Sequence, residues 1–298
     1  MASNDAWWQP DIQSFEQISS ELYIRALKQL PPDIKLGLTQ LARNESHPTG
    51  QRVLADISEN IRIAERDDNL LCQDTGIPIY QVKIGRGVQL HGADLLAAIR
   101  RGCQQATTGH PLRSSVVHPL TRHNEQTSCG LHVPVITIDY DDQPQRIEIN
   151  MVPKGSGSEN QSWLKMALPA EGVDAIRRFV LDCALAAGSK PCPPTIIGVG
   201  VGGTAELCVN LAKQAATRAL GSVNHDAAAA ALETSLTRAV NSLGIGAQGL
   251  GGDATSFAVH LELAATHITL NPVAVNIQCH CARRAQAVIT PHGIRYGF

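Results

Sequence analysis

Three cysteines of this chain occupy the same kind of place. Cys72 follows a charged, helix-like segment and precedes an apolar extended run. Cys192 stands between prolines ahead of a second such run, and Cys279 ends a third. Each is flanked by residues that break regular structure, and connections on a rigid scaffold are where functional groups gather. Cys103, Cys183 and Cys208 fall on the apolar faces of predicted helices and read as core. Cys129, at the end of a polar loop, fits either reading. Three thiolates suit a soft metal centre, zinc or iron–sulfur. A centre with fewer protein ligands than the metal wants keeps a position open for substrate. The prolines beside Cys192 fix the backbone and remove competing donors. Spacing alone leaves structural thiols as an equal alternative, because no C-x-x-C pair accompanies them. Cys279-His280-Cys281 looks metal-like, yet adjacent residues of an extended chain point to opposite faces.

Other segments carry polar chemistry. Cys72 opens the run Gln73-Asp74-Thr75-Gly76, which joins an amide, a carboxylate and a hydroxyl; ordinary turn formation accounts for it equally well. Residues 111–130 form a polar stretch without a clean period, containing Arg113, Ser114, Ser115, His118, Arg122, His123 and Asn124. A loop of that length inside a compact domain is usually functional or mobile. Lys154-Gly155-Ser156-Gly157-Ser158-Glu159-Asn160 reads as a short linker or as a backbone nest for an anion. The glycine-dense stretch 244–253 brings backbone close to a ligand or to another loop. Gly198-Val199-Gly200-Val201-Gly202-Gly203 satisfies G-x-G-x-x-G. About twenty residues on, where an acidic residue should meet a ribose, the chain offers Arg218-Ala219-Leu220-Gly221 and then another helix. A dinucleotide-binding oxidoreductase is therefore a remote rival. Tight strand–helix packing, or an anion at a helix end, explains the glycines as well.

The elements that must position these residues follow from periodicity. Helices are predicted near 17–30 and 33–44, split by Pro31-Pro32, and over 51–67, 92–106, 171–187, 204–220 and 226–243. Strands are predicted over 77–84, 133–140, 147–152, 195–201, 256–264 and 273–278. The strands at 133–140 and 147–152 are expected to form a hairpin through the polar turn 141–145. After Arg284 only a short tail is expected. Residues 1–16 read as a disordered or docking tail in which Trp7 and Trp8 could reach a neighbour. With no internal repeat and no low-complexity linker, the simplest account is one domain over 17–298. Its expected fold class is α/β (mixed α+β), with small mixed β-sheets flanked by helices.

Composition narrows the function. Hydrophobic residues make up 43% and charged residues 17% of the 298, as in a soluble globular protein with a sizeable core. A net charge of −2 without a basic stripe, and 4% aromatics, argue against nucleic acid. No apolar run is long enough to span a membrane, and the N-terminus lacks a secretory pattern. Eight cysteines in such a chain fit a reducing, cytoplasmic setting better than a disulfide framework. A small-molecule substrate is expected.

Taken together and in order, the motifs resemble a known family. Cys72-Gln73-Asp74-Thr75-Gly76, the 154–160 loop, Cys192-Pro193-Pro194 with the 198–203 glycines, Gly246-Ala247-Gln248-Gly249-Leu250-Gly251-Gly252, and Thr266-His267 followed by Val273-Ala274-Val275-Asn276-Ile277-Gln278-Cys279 look like the alpha part of class I fumarate hydratases. The same superfamily includes L(+)-tartrate dehydratase. The resemblance runs from about residue 20 to 285.

The resemblance implies an oxygen-sensitive [4Fe-4S] cluster held by Cys72, Cys192 and Cys279, with Cys281 nearby but off the ligand position. It implies that Gln73, Arg113 and Gly155 bind substrate, that Asp74 and His267 are catalytic, and that the substrate is a small C4 dicarboxylate. Fumarate to (S)-malate is the first expectation; L(+)-tartrate dehydration to oxaloacetate or mesaconate hydration is next. A non-catalytic zinc protein is a distant rival. Expelling hydroxide from a hydroxy-acid needs a Lewis acid. The dianionic intermediate left by proton abstraction needs cationic and amide partners, and a guanidinium such as that of Arg113 grips a carboxylate in bidentate fashion. Two positions depart from the family. His118 precedes Pro119-Leu120 where aspartate is usual, and Ala265 precedes Thr266 where proline is usual. The family also has a swivelling domain that supplies the general base. It is not found up to Phe298, so this chain is expected to be an alpha subunit. A beta subunit would carry that domain, in an α2β2 assembly.

Overall fold

The structure is a computed structural model, and it describes residues 7–298. Residues 1–6 of the expected tail lie outside the described residues. The chain gathers into two compact units. Unit 1 takes the chain up to Pro31, Ala64–Lys154 and Arg283–Phe298; unit 2 takes Pro32–Ile63 and Gly155–Ala282. Both are mixed sheets flanked by helices, as the fold class expected.

Unit 1 contains helices α1 (Ser14–Lys28) and α4 (Gly92–Gly109) and a five-stranded sheet. Its strands are β1 (Ile77–Ile84), β2 (Val135–Tyr140), β3 (Ile147–Lys154), β8 (Ala285–Thr290) and β9 (Gly293–Gly297), in the order β2-β1-β3-β8-β9. The apolar stripes of α1 (Phe15, Ile18, Leu22, Tyr23) and α4 (Leu95, Ile99, Cys103) pack together over inward residues of β1, β3 and β8. Each large side chain buried this way contributes roughly 1.5–3 kcal/mol. Ahead of α1, Trp8 pairs with Val88 within the same unit.

Two expectations are corrected here. β2 and β3 are not a hairpin: β1 lies between them, parallel to β2 and antiparallel to β3. The Ile77–Ile84 run buries one face throughout (Pro78, Tyr80, Val82, Ile84) and the other at Ile79, and it is paired on both edges. The turn that should have closed the hairpin instead crosses the end of β1. Gly85 donates to the Arg146 carbonyl at 2.8 Å, and Gln145 donates to the Arg86 carbonyl at 2.8 Å. A Cβ on Gly85 would stand 1.9 Å from the Gln143 carbonyl oxygen, so the crossing requires glycine. The expected C-terminal tail is also ordered, since β8 and β9 pair as a hairpin and extend the sheet from β3.

Unit 2 contains α2 (Pro32–Asn44), most of α3 (Pro48–Arg66), the single turn α5 (Ser156–Glu159), α6 (Gly172–Ala187), α7 (Ala205–Ala216) and α8 (Ala227–Asn241). Its sheet has the order β4-β7-β5-β6, built from β4 (Ser162–Ala167), β5 (Thr195–Val201), β6 (Ser256–Leu263) and β7 (Asn271–Gln278). Residues of one parity, Ile197, Val199, Val259, Leu261, Val275 and Ile277, pack against α6 and α8. Residues of the other parity meet α7, as strand alternation requires. There the G-x-G glycines find their use. A Cβ on Gly198 would lie 2.1 Å from the Ala212 carbonyl, and one on Gly200 would lie 2.0 Å from that of Cys208. Tight strand–helix packing accounts for both. The 154–160 segment is neither linker nor open loop: Lys154 ends β3 fully buried, and α5 follows. β4 is a strand that periodicity missed.

Replacing Gly85 by alanine forces a methyl against the Gln143 carbonyl and is expected to destabilise unit 1 by about 1–3 kcal/mol. The urea midpoint of the purified chain reads this. An unchanged midpoint would contradict the crossing of the 141–146 turn over β1.

Candidate functional site

In unit 1 the run from Cys72 to Gly76 enters β1 as a pinned connection. Leu71 donates to the Leu27 carbonyl at 2.9 Å, and Gly76 donates to Asp74 Oδ1 at 2.8 Å, closing a turn on the aspartate. The buried Arg283 guanidinium donates to the Asp74 carbonyl at 2.6 Å. Tyr23 donates its hydroxyl to the Thr75 carbonyl at 3.2 Å, and burial holds that phenol well above its usual pKa, so it stays a donor. Thr75 is fully buried, and its own hydroxyl donates to the Arg113 carbonyl. This bond ties the polar 111–130 loop to the Cys72 segment. The segment carrying the half-exposed Cys72, the exposed Gln73 and the half-exposed Asp74 is thereby tied to the backbone of the exposed Arg113. Cys72 Sγ lies 3.7 Å from Gln73 Oε1.

Further along that loop, His118 does what a turn-capping carboxylate does. Its Nδ1 accepts from the backbone N–H groups of Leu120 and Thr121 at 3.3 and 3.2 Å. Those bonds require that Nδ1 carry no proton. The departure from aspartate therefore keeps the acceptor that shapes the turn.

In unit 2, Cys192 lies in the bend before β5, in a left-handed backbone conformation (φ 54°) that costs a non-glycine residue about 1–3 kcal/mol. Its N–H donates to the Ser189 carbonyl at 3.0 Å, and its own carbonyl accepts the His280 N–H at 3.1 Å. That second bond joins the Cys192 segment to the end of β7, where Cys279 sits half-exposed. Gly155 is buried ahead of α5, and its carbonyl accepts from Glu159 N–H and the Ser158 hydroxyl. His267 is exposed on the connection from β6 to β7, its Nδ1 2.9 Å from the Thr269 hydroxyl.

Among the described residues no three His, Cys, Asp or Glu side chains form a group that could hold a metal ion. In an iron–sulfur cluster each cysteine binds its own iron, so its thiolates do not meet at one ion. What sets Cys72, Cys192 and Cys279 apart is access. None of the eight cysteines is in a disulfide, and only these three are not buried. Burial pushes the Cys183 thiol up to about 12 and that of Cys208 up to about 11, away from ligand chemistry. Cys103 is pushed higher still by its hydrogen bond to Cys129 and by burial. Cys281 is buried as well. Three accessible thiols, one in unit 1 and two in unit 2, are in number and type the donors that a cluster with three protein ligands takes.

Residues 16–288 match the family model described as fumarate hydratase (Fumerase). The chain belongs to that family. As a class I fumarate hydratase family member it is a hydro-lyase. It is 45% identical over 267 residues, 89% of this chain and 94% of the relative, to a Methanocaldococcus jannaschii protein provisionally named L(+)-tartrate dehydratase subunit alpha. It is 31% identical to the L(+)-tartrate dehydratase subunit alpha of Escherichia coli K12, over 87% of this chain and 86% of the relative. No helix among the described residues of this hydro-lyase is long and apolar enough to cross a membrane.

Sequence reasoning counted Thr75 only as a hydroxyl in a polar run, and it missed Arg283. Both act on backbone groups far away in the chain. The cue for Thr75 was its place at the entry to an apolar strand.

Two outcomes follow. Thr75→Val deletes the pin while keeping the shape, at a cost of roughly 0.5–1.5 kcal/mol for the lost hydrogen bond. Hydrogen exchange should quicken in residues 111–117 of that variant and stay as in wild type in Thr75→Ser. Equal exchange in all three would show that the loop is held otherwise. In the native, metal-free chain, iodoacetamide at about pH 8, near the ordinary thiol pKa, should label Cys72, Cys192 and Cys279. The five buried cysteines should react only after denaturation. Labelling of Cys208 or Cys281 at the rate of Cys192 would break the distinction.

Proposed function

We propose that this hydro-lyase reversibly hydrates and dehydrates a C4 dicarboxylate, with fumarate and (S)-malate as the first substrate pair. The observation that carries this reading is the Thr75 bond to the Arg113 carbonyl, which ties the Arg113 backbone to the run from Cys72 to Gly76. A guanidinium, an amide and an aspartate carried on these two tied segments suit a dicarboxylate bearing a hydroxyl. Cys72, Cys192 and Cys279 would hold a [4Fe-4S] cluster. When bound, the cluster supplies a Lewis-acidic iron that makes hydroxide a better leaving group.

The chain's own groups have these roles. Arg113 clamps one substrate carboxylate by paired N–H donors. Gln73 orients a substrate oxygen through its amide. Gly155 offers its backbone N–H to the same ligand. Asp74 is held by Gly76 and by Arg283 through its carbonyl, so it meets the substrate in one orientation and can move a proton at its carboxylate. His267 serves as hydrogen-bond partner or acid at the other end. The names of the relatives, each a subunit alpha, support action with a beta subunit in an α2β2 assembly. That partner would bring the general base. Those names also favour a second reading, L(+)-tartrate to oxaloacetate.

The test is a side-by-side assay of the complex co-purified anaerobically with its beta partner, on fumarate, L-tartrate and mesaconate. The first reading expects the highest kcat/KM on fumarate, and Arg113→Ala should lower it about 100-fold or more, the scale of losing an oriented charge partner. Highest kcat/KM on tartrate would establish the second reading instead. Comparable rates on all three would support neither.

A further inference from the structure

Around Cys192 unit 2 holds a constellation that neither the family match nor the site residues above explain. The glycine-dense loop 244–253 is anchored at its far end by Glu45, a carboxylate buried to 3% exposure. Glu45 Oε1 accepts from the N–H groups of His47 and Asp253 at 2.9 and 3.0 Å, and Oε2 from those of Asp253 and Ala254 at 2.9 and 3.0 Å. At its near end the Gly246 N–H donates to the Thr255 hydroxyl at 3.0 Å. Held between these anchors, Gln248 adopts a left-handed backbone, φ 53°, as Cys192 does. From there its backbone N–H donates to the Pro193 carbonyl at 2.8 Å, and its side-chain Nε2 reaches the same oxygen at 3.2 Å. Nε2 also lies 3.2 Å from His280 Nδ1. The His280 backbone N–H satisfies the Cys192 carbonyl, and its Nδ1 is 3.1 Å from that oxygen. The two carbonyls on either side of the Cys192–Pro193 junction are thus fixed from one amide and one histidine.

We propose that Gln248 is the positioning residue of the Cys192 thiolate, and that the loop clamped by Glu45 exists in this chain to present it. Two strained, non-glycine backbones that hydrogen-bond through shared partners hold each other where neither would stay alone. Groups behind a metal ligand orient it in this manner. Gln248 touches neither substrate nor metal in this scheme; it acts through Pro193 and His280 on the direction of a thiol. The inference rests on the reading of Cys192 as a ligand.

The test uses Gln248→Gly and Gln248→Asn. Glycine and asparagine both tolerate a left-handed backbone, so both chains should melt close to wild type. Glycine keeps the backbone N–H and loses the side chain; asparagine keeps an amide too short to reach both partners. In the metal-free chain, alkylation of Cys192 by iodoacetamide is followed by peptide mass spectrometry, with Cys279 of the same chain as reference. We expect the Cys192 to Cys279 rate ratio to rise several-fold in both variants. After anaerobic reconstitution, loss of iron to a chelator should quicken about 10-fold, the lower end of what such a supporting contact is worth. Variants that match wild type in both measurements would overturn the proposal. A wild-type chain that takes up no cluster would defeat the reading of the preceding section instead, and the alkylation ratio would then decide this one alone.

Discussion

A single buried hydroxyl makes one site of two segments 38 residues apart. Thr75 donates to the Arg113 carbonyl, and the polar loop that begins there is held against the strand entry that carries Cys72, Gln73 and Asp74. The donor side of the bond is buried, which limits the competition from water. Around it three neighbouring backbone groups are also engaged: Tyr23 takes the Thr75 carbonyl, Arg283 the Asp74 carbonyl, and Asp74 the Gly76 N–H. Polar residues in a loop would otherwise sample many arrangements. Here the backbone beneath them is committed, and the side chains that face solvent inherit its direction.

Unit 2 solves the same problem with different means. No strand could present Cys192 toward solvent and stay packed on α7, because Gly198 and Gly200 already bring that helix against the sheet backbone. The thiol is therefore carried one bend earlier, in a backbone conformation that only surrounding hydrogen bonds can enforce. The histidine that follows Cys279 supplies one of them, which couples two cysteine segments 88 residues apart through main-chain atoms. Five other cysteines are buried, and the thiols of Cys103, Cys183 and Cys208 are pushed above their ordinary pKa. Position relative to the strand ends, more than cysteine count, separates the accessible thiols from the packed ones.

Much of this was legible in the residues. The apolar runs of β1, β5 and β7 and the stripes of α4, α6 and α8 have one period each and nothing to contradict it. The three accessible cysteines stood out because each interrupts regular structure. Strand adjacency was not legible in the same way: β2 and β3 are neighbours in the chain, but the more apolar β1 takes the middle. β4 was missed because its Ser-Trp-Leu-Lys-Met-Ala pattern belongs to a half-exposed edge. β8 and β9 were missed because they owe their order to pairing with β3 and with each other. The supporting residues Thr75, Arg283, Glu45 and Gln248 act on backbone groups brought near only by the fold. Sequence spacing carries no trace of that, and the ordered set of family motifs was what pointed to their neighbourhood.

The central claim is that Cys72, Cys192 and Cys279 together hold one cluster. Anaerobic reconstitution of the chain with iron and sulfide, followed by iron and acid-labile sulfide analysis, tests it most directly when run on wild type and on three single Cys→Ser variants. The account predicts about four irons and four sulfides per wild-type chain. Substituting any of the three should bring loss of both, and Cys281→Ser should take up the wild-type complement. Iron bound without sulfide, or full loading of the Cys72→Ser chain, would contradict it.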